Sequence, residues 1–247
     1  MNFASILCPS CALFFDFDGT LVDLAPQPDA VVMPPELTPT LGALADYLGG
    51  AVAVISGRPI DQIDQFFSPL RLPVAGVHGA ERRSADGALS LLNTHSLEQV
   101  QQAAVALAGI HPALHVEHKR GSIALHYRQA PELEGACHAV MQAAVADSPG
   151  LTLLRGKMVF EAKPGDASKG HAIEAFLREA PFASRTPVFV GDDFTDEVGF
   201  CTVQNRGGLG VKVGAGASAA WHRVESPAVL RHELGQAVLA KTGKATP

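Results

Sequence analysis

Two carboxylates separated by one residue, Asp16 and Asp18 in LFFDFDGTLVD, close an apolar run, and a second acidic group, Asp192, Asp193, Asp196 and Glu197 in GDDFTDE, closes another. An isolated D-x-D-G can be a solvated turn, and acids at 193, 196 and 197 suit the start of a helix, where the backbone dipole favours negative charge. Brought together, however, Asp16 and the 192–197 acids repel one another unless a cation is bound. Hard oxygen ligands around a doubly charged ion fit Mg²⁺, which uses a few carboxylates and keeps room for water and substrate phosphate. A calcium loop is excluded, because it places its glycine sixth, whereas Gly19 is fourth counting from Asp16.

Other residues have the chemistry to hold an anion beside such a centre. Lys169 falls in the first turn of a helix read from GDASKGHAIEAFL, capped by Asp166 or Ser168, where a cation opposes the dipole and so calls for a carboxylate or phosphate nearby. Ser56, in SGR, precedes a helix whose amides can take an anion and adds a hydroxyl donor, although serine there is also an ordinary cap. His78 and Glu81 follow a further apolar run in GVHGAE.

The elements that must position these residues read as alternating strands and helices. LFF at 13–15, AVAVIS at 51–56, LPVAGVH at 72–78 and TPVFVGD at 186–192 are short apolar runs ending in polar residues, as in parallel sheets covered on both faces. Leucines 37, 41, 44 and 48 mark an amphipathic helix between the first two, and Pro59 opens another before the third. A weaker strand at 208–214 and a helix near 226–241 complete a doubly wound, Rossmann-like α/β core with a parallel sheet. The candidate residues then share the carboxyl edge of the sheet, where open α/β sheets bind ligands.

The middle of the chain departs from this pattern. After residue 95 it reads helix, strand (ALHVEH), turn, strand (IALHYR), helix, strand (LTLLR), turn, strand (VFEAK), an α+β unit with an antiparallel sheet. It is inserted: residues 1–93 and 164–247 are expected to form the core and 94–163 the insertion, with Lys163-Pro164-Gly165 as a linker.

Composition limits the partners. The 247 residues include 25 acidic and 19 basic ones, a net charge of −6, which argues against a nucleic-acid or anionic-membrane surface. No apolar run reaches the roughly 20 residues that span a bilayer. The first apolar run lacks a basic flank and leads straight into Asp16, so a cytoplasmic protein is expected. Cys8 and Cys11 form a C-x-x-C, a possible redox or metal pair, but no second such motif completes a zinc site and reduced, structural thiols are the default expectation.

In this order DFDGT, a serine after the second strand, a lysine before the later helices and GDDxxDE resemble the haloacid dehalogenase (HAD) superfamily of phosphohydrolases. DFDGTLVDLAP, SGRP, GVHGAE, VEHKRGSIALHYR, FEAKP and VGDDFTDE are further similar to the trehalose-6-phosphate phosphatases, over residues 12 to 213. The resemblance implies a HAD core with a specificity cap. It implies Mg²⁺-dependent hydrolysis of a sugar phosphate, with Asp16 as nucleophile and Asp18 as general acid and base. Mg²⁺ would be held by Asp16, the Asp18 carbonyl and Asp192, with Asp193 and Asp196 ordering those ligands, and Ser56 and Lys169 would hold phosphoryl oxygens. Gly19, Arg58, His78 and Glu81 from the core and Glu117, Lys119 and Glu161 from the cap would contact substrate, with His126 and Arg128 as further cap candidates. Other sugar-phosphate phosphatases of the superfamily, acting on sucrose-phosphate, mannosyl-phosphoglycerate or hexose phosphates, a phosphomutase and a non-catalytic sensor are the alternatives.

Overall fold

A computed structural model describes residues 3–25, 27, 30–92 and 96–243. Its chain divides into two compact units, 1–89 with 168–247, and 90–167. The insertion boundary read from the sequence at 93/94 lies outside the described residues, and the second crossing falls at 167/168, a few residues beyond the expected linker.

The first unit is built on a sheet whose centre is the apolar strand β1 (Cys11–Phe15), buried at every position. It pairs in parallel with β2 (Val52–Ile55) on one side and with the strand Thr186–Gly191 on the other. Helix α1 (Phe3–Ile6) precedes β1, helix α2 (Leu37–Tyr47) joins β1 to β2, and α3 (Ile60–Phe67) joins β2 to β3 (Val74–Gly76). The expected third strand stops at Gly76, because Val77 and His78 take left-handed φ values of 50° and 55°. The chain then reverses into β4 (Glu81–Arg83), antiparallel to β3, and β5 (Leu89–Leu91) ends the sheet at the unit boundary.

The second unit carries helix α4 (Glu98–Ile110), the hairpin β6 (His115–Lys119) and β7 (Ser122–His126), helix α5 (Glu134–Ala146), and the hairpin β8 (Leu151–Gly156) and β9 (Val159–Pro164). Its four strands lie in the order β6-β7-β9-β8, all neighbours antiparallel. Val100, Ala104, Leu125, Cys137, Met141 and Phe160 form a core of its own.

The chain returns to the first unit with α6 (Lys169–Phe176), β10 (Thr186–Gly191), α7 (Glu197–Asn205), β11 (Leu209–Val213), β12 (His222–Val224) and α8 (Pro227–Thr242). The order is β12-β11-β10-β1-β2-β3-β4-β5. Strand order therefore reverses at β1, and the carboxyl ends of β10, β1 and β2 lie side by side, the place where a doubly wound sheet opens a crevice. Phe14, Phe176 and Phe182 pack mutually beneath it, with ring centroids 5.0–6.0 Å apart. Strands β4, β5 and β12 and helix α1 are additional to the elements expected from sequence; segments of three or four residues carry too few positions to show a period.

Candidate active site

Asp16 follows the last residue of β1, and its amide donates to the Val190 carbonyl of β10 at 2.9 Å, so the backbone ladder aims it into the crevice. The next residues turn back at once. The Phe17 carbonyl accepts the amides of Leu21 and Val22 at 3.0 and 3.1 Å, and the Gly19 amide donates to Val22 at 2.8 Å. Gly19 has φ +82°, and a Cβ there would land on the Asp192 carboxylate. This glycine lets the β1 loop and the β10 loop touch. Gly19, expected among the substrate contacts, donates its amide within the turn.

Five side chains meet at that touch. Lys169 Nζ donates to Asp16 Oδ1 and to Asp196 Oδ1, both at 2.6 Å, and Thr20 Oγ1 reaches Asp192 Oδ1 at 3.2 Å and Asp16 Oδ2 at 3.4 Å. Asp196 is wholly buried, and its second oxygen accepts the amides of Asp192 and Asp193, each at 2.9 Å. It orders the GDD turn while pairing with Lys169. Asp193 is exposed and caps the following turn through the Thr195 amide at 2.9 Å, and Glu197 accepts the Ala219 amide at 2.7 Å. Ser168 caps α6 by accepting the His171 amide at 3.1 Å, leaving Lys169 in the first turn with its charge turned inward.

Burial raises the Asp16 carboxyl well above the usual range, against the pull of Lys169, with Asp196 and Asp192 adding to the rise. Asp192 is raised too, by burial and then by Asp196. Burial alone would lower Lys169, but Asp16 and Asp196 outweigh it and raise the ammonium. One oxygen from each of Asp16, Asp192 and Asp196 lies within 4.8 Å of the others. Three carboxylates against one directly contacting ammonium leave unbalanced negative charge. The donor set is hard oxygen, so the residues present fit a small divalent cation such as Mg²⁺. Asp196 has one oxygen on Lys169 and the other on two amides, whereas Asp16 Oδ2 and Asp192 Oδ1 carry the longer Thr20 contacts, so Asp16 and Asp192 are the side chains with capacity to hold it.

Asp18 points away from this cluster. Arg58 grips it through Nε at 2.7 Å and Nη2 at 2.8 Å, the bidentate fork of a guanidinium on a carboxylate. The Arg58 guanidinium also lies over the Phe17 and Phe66 rings, 5.7 and 5.2 Å from their centroids. Ser56 is buried, and its hydroxyl accepts the Arg58 amide at 3.1 Å, which is the ordinary capping role of a serine at such a turn. The strained Val77-His78 turn is tied to this loop, Val77 donating to the Arg58 carbonyl at 3.1 Å and His78 to the Ser56 carbonyl at 2.9 Å. A Cβ on Gly57 would meet the His78 ring at 2.8 Å, so the ring packs closely against this loop. Glu81 is buried, and its Oε1 accepts the Ile60 amide at 2.7 Å, which holds the start of α3.

In the second unit the expected trio does come together. Glu117 and Glu161 flank Ala124 on neighbouring strands and project from one face of the sheet. Lys119 Nζ lies 3.1 Å from Glu161 Oε2 and 3.9 Å from Glu117 Oε2, and His126 Nε2 is 2.9 Å from Glu117. The His126 hydrogen bond is the main reason that the Glu117 carboxyl falls below its ordinary value. Arg128 is exposed, outside β7.

Three residues of these constellations were not singled out from sequence. Thr20 bridges Asp16 and Asp192, and its place inside DFDGT was the available signal. Lys212 is buried on β11, its ammonium on the Asp192 and Val213 main-chain carbonyls. Ser122 is fully buried and donates to Glu161 Oε1 at 2.6 Å. Nothing in the local pattern marks either of the last two, since their partners are 20 and 39 residues away.

Comparison with known proteins fits this geometry. Residues 14–230 match the family model described as trehalose-phosphatase. The chain is 43% identical over 221 residues to a trehalose-6-phosphate phosphatase of Escherichia coli K12, covering 88% of this chain and 83% of that protein. It is 42% identical over 224 residues to a probable trehalose-phosphate phosphatase of Sinorhizobium fredii, covering 89% and 84%. Among solved structures, the C-terminal domain of C. albicans trehalose-6-phosphate phosphatase shares the fold, with a TM-score of 0.81 at 20% identity over 93% of this chain and 92% of that one. A haloacid dehalogenase-like hydrolase from Bacteroides thetaiotaomicron shares it with a TM-score of 0.65 at 12% identity, over 91% of this chain and 98% of that one.

Proposed function

The chain belongs to the trehalose-phosphatase family, a group of phosphoric monoester hydrolases on the HAD fold, and from that membership we propose that it hydrolyses trehalose 6-phosphate to trehalose and inorganic phosphate. The observation that carries the reading is the buried contact of Asp16 with Lys169 and Asp192 at the reversal point of the parallel sheet.

Asp16 is the nucleophile. Its carboxylate attacks phosphorus in line, the bond to the sugar oxygen breaks, and the phosphoryl group rests on Asp16 until water displaces it, dividing one hard hydrolysis into two displacements. Lys169 holds Asp16 Oδ1, which leaves Oδ2, bonded only weakly by Thr20, as the attacking oxygen. Asp18 protonates the leaving sugar oxygen and later takes a proton from the attacking water. Both its oxygens are in the Arg58 fork, so the fork opens before either transfer. Asp16, the Asp18 carbonyl and Asp192 would hold Mg²⁺, which when bound neutralises charge building on the phosphoryl oxygens. Asp196, Asp193 and Lys212 keep the Asp192 turn in place. Ser56 and Lys169 take phosphoryl oxygens, and Arg58 and His78 line the approach.

The unit 90–167 serves as the specificity cap, with Glu117, Lys119 and Glu161 recognising sugar hydroxyls. Trehalose presents many hydroxyls and no charge of its own, and alternating acid and base on one sheet face offers acceptors and donors together. Phosphate release from a panel of sugar phosphates, with and without Mg²⁺, tests the reading. Preference for trehalose 6-phosphate that vanishes on chelation is the expected result; faster release from sucrose 6-phosphate or a simple hexose phosphate would overturn the substrate assignment.

A further inference from the structure

The Cys8–Cys11 turn has a geometry that the phosphatase chemistry does not use. The Cys11 amide donates to the Cys8 carbonyl at 2.9 Å, which closes a tight turn and brings the two Sγ atoms to 2.8 Å. The turn is clamped from the start of the neighbouring strand β10, whose Thr186 pairs with Cys11. Arg185 donates to the carbonyls of Pro9 at 2.7 Å and Cys11 at 3.2 Å, and the Thr186 amide donates to Ser10 at 2.9 Å. Cys11 is buried as the first residue of β1, whereas Cys8 is partly exposed, with Ser10 Oγ 3.2 Å from its sulfur. A metal site is the competing use of two thiols. Among the described residues the groups of three or more His, Cys, Asp and Glu near enough to share an ion include neither cysteine, so the pair lacks further ligands.

We propose that Cys8 and Cys11 are a reversible disulfide site, oxidised by exchange with a low-molecular-weight disulfide such as oxidised glutathione, with Cys8 attacking first. Cys8, as thiolate, attacks one sulfur of the disulfide. A Cys8–glutathione bond forms, the reagent's own S–S bond breaks, and one glutathione thiolate leaves. Cys11 then loses its proton to solvent and attacks the Cys8 sulfur, forming Cys8–Cys11 and expelling the second glutathione. Two electrons pass from the protein thiols to the reagent, and two protein thiol protons are released. Hydrogen bonding from Cys11 lowers the Cys8 thiol, whereas burial and then Cys8 push Cys11 up to about 11, the order of reactivity that the sequence of attacks requires. Closure needs only a local shift, because the turn already holds the sulfurs together.

The test uses the full chain carrying Cys201→Ser, since Cys201 is exposed and would react independently. After treatment with excess oxidised glutathione and acid quench, intact mass and peptide mapping are read. The expected product has lost about 2 Da and two of its three remaining thiols, maps to Cys8 and Cys11, and reverts in reduced glutathione. Cys11→Ser in the same background should stop as a glutathione adduct on Cys8, and Cys8→Ser should react at Cys11 at least about tenfold more slowly. A protein with Cys11 intact that keeps all three thiols, or that stops at the Cys8 adduct, overturns the proposal.

Discussion

Asp16 and Lys169 are 2.6 Å apart in a buried site, and that contact sets the chemistry of each. Lys169 pulls the Asp16 carboxyl down against the rise that burial imposes, and Asp16 and Asp196 raise the Lys169 ammonium against the fall that burial imposes. Asp16→Asn removes the attacking oxyanion, and we expect phosphate release from trehalose 6-phosphate to fall by more than about a thousandfold, as tenfold is only about 1.4 kcal/mol of barrier. Circular dichroism should show the fold retained, and turnover within tenfold of the parent would remove Asp16 as nucleophile. Asp192 gives a stability prediction. Its carboxyl is raised in the fold, so the stability it contributes is present while it is protonated and is lost as pH rises through the folded value. In chelator at pH 7 to 8, Asp192→Asn should therefore raise the melting temperature, by ~2–4 °C for each ~1 kcal/mol relieved. Mg²⁺ should stabilise the parent and not the variant. A lower melting temperature for the variant in chelator would show that its hydrogen bond to Thr20 outweighs the repulsion.

At the scale of elements, loops and paired strands convert separated residues into sites. The β1 turn works because Gly19 has no Cβ to meet Asp192. Gly19→Ala combines a left-handed φ with that collision, and a loss of about 1–3 kcal/mol in urea unfolding is expected, together with loss of activity. An unchanged midpoint would mean that the two loops can separate without cost. In the antiparallel sheet, Glu117 and Glu161 face each other across Ala124 with Lys119 between their carboxylates, an arrangement made by strand register. Lys119→Ala removes the charged hydrogen bond proposed to reach the sugar, worth roughly 1.5–3 kcal/mol, so kcat/KM for trehalose 6-phosphate should drop about ten to over a hundredfold. Hydrolysis of p-nitrophenyl phosphate, which offers no sugar hydroxyls, should change by less than about twofold, since binding energy from remote groups is what such a small ester cannot use. Equal losses on both substrates would assign Lys119 to the fold.

At the scale of the whole molecule, the acidic cluster and the proposed sugar-binding face reside in separately packed units. The acidic cluster lies wholly within 1–89 and 168–247, and the Glu117–Lys119–Glu161 face wholly within 90–167. Each unit has its own hydrophobic core. Mg²⁺ binding should accordingly slow amide hydrogen exchange in peptides covering 14–22 and 190–197 and leave those covering β7, α5 and β9 unchanged, because exchange reports local opening. Equal protection in both units on adding Mg²⁺ alone would refute a metal site confined to the first. Among the described residues no helix is long and apolar enough to cross a membrane.

The sequence by itself determined the α/β core, the inserted antiparallel unit and the edge where the chemistry sits, because these depend on periodicity and on residues that are neighbours in the chain. DFDGT and GDDFTDE also declared their acids. Only the tertiary structure decided how those groups divide the work. The resemblance places Asp196 behind Asp192 as an ordering residue, and the fold adds its direct pairing with Lys169, 27 residues away. Asp18 is gripped by Arg58, 40 residues distant, and one Glu81 oxygen accepts the amide of Ile60. Ser122 and Lys212, silent in the sequence, became supports of Glu161 and Asp192. Likewise C-x-x-C is compatible with a plain turn, and the 2.8 Å approach of its sulfurs depends on clamps from Arg185 and Thr186. A carboxylate's partner, and so its charge and its task, is chosen by whichever donor the fold brings within hydrogen-bonding distance, and that choice is made across the sheet and between its loops.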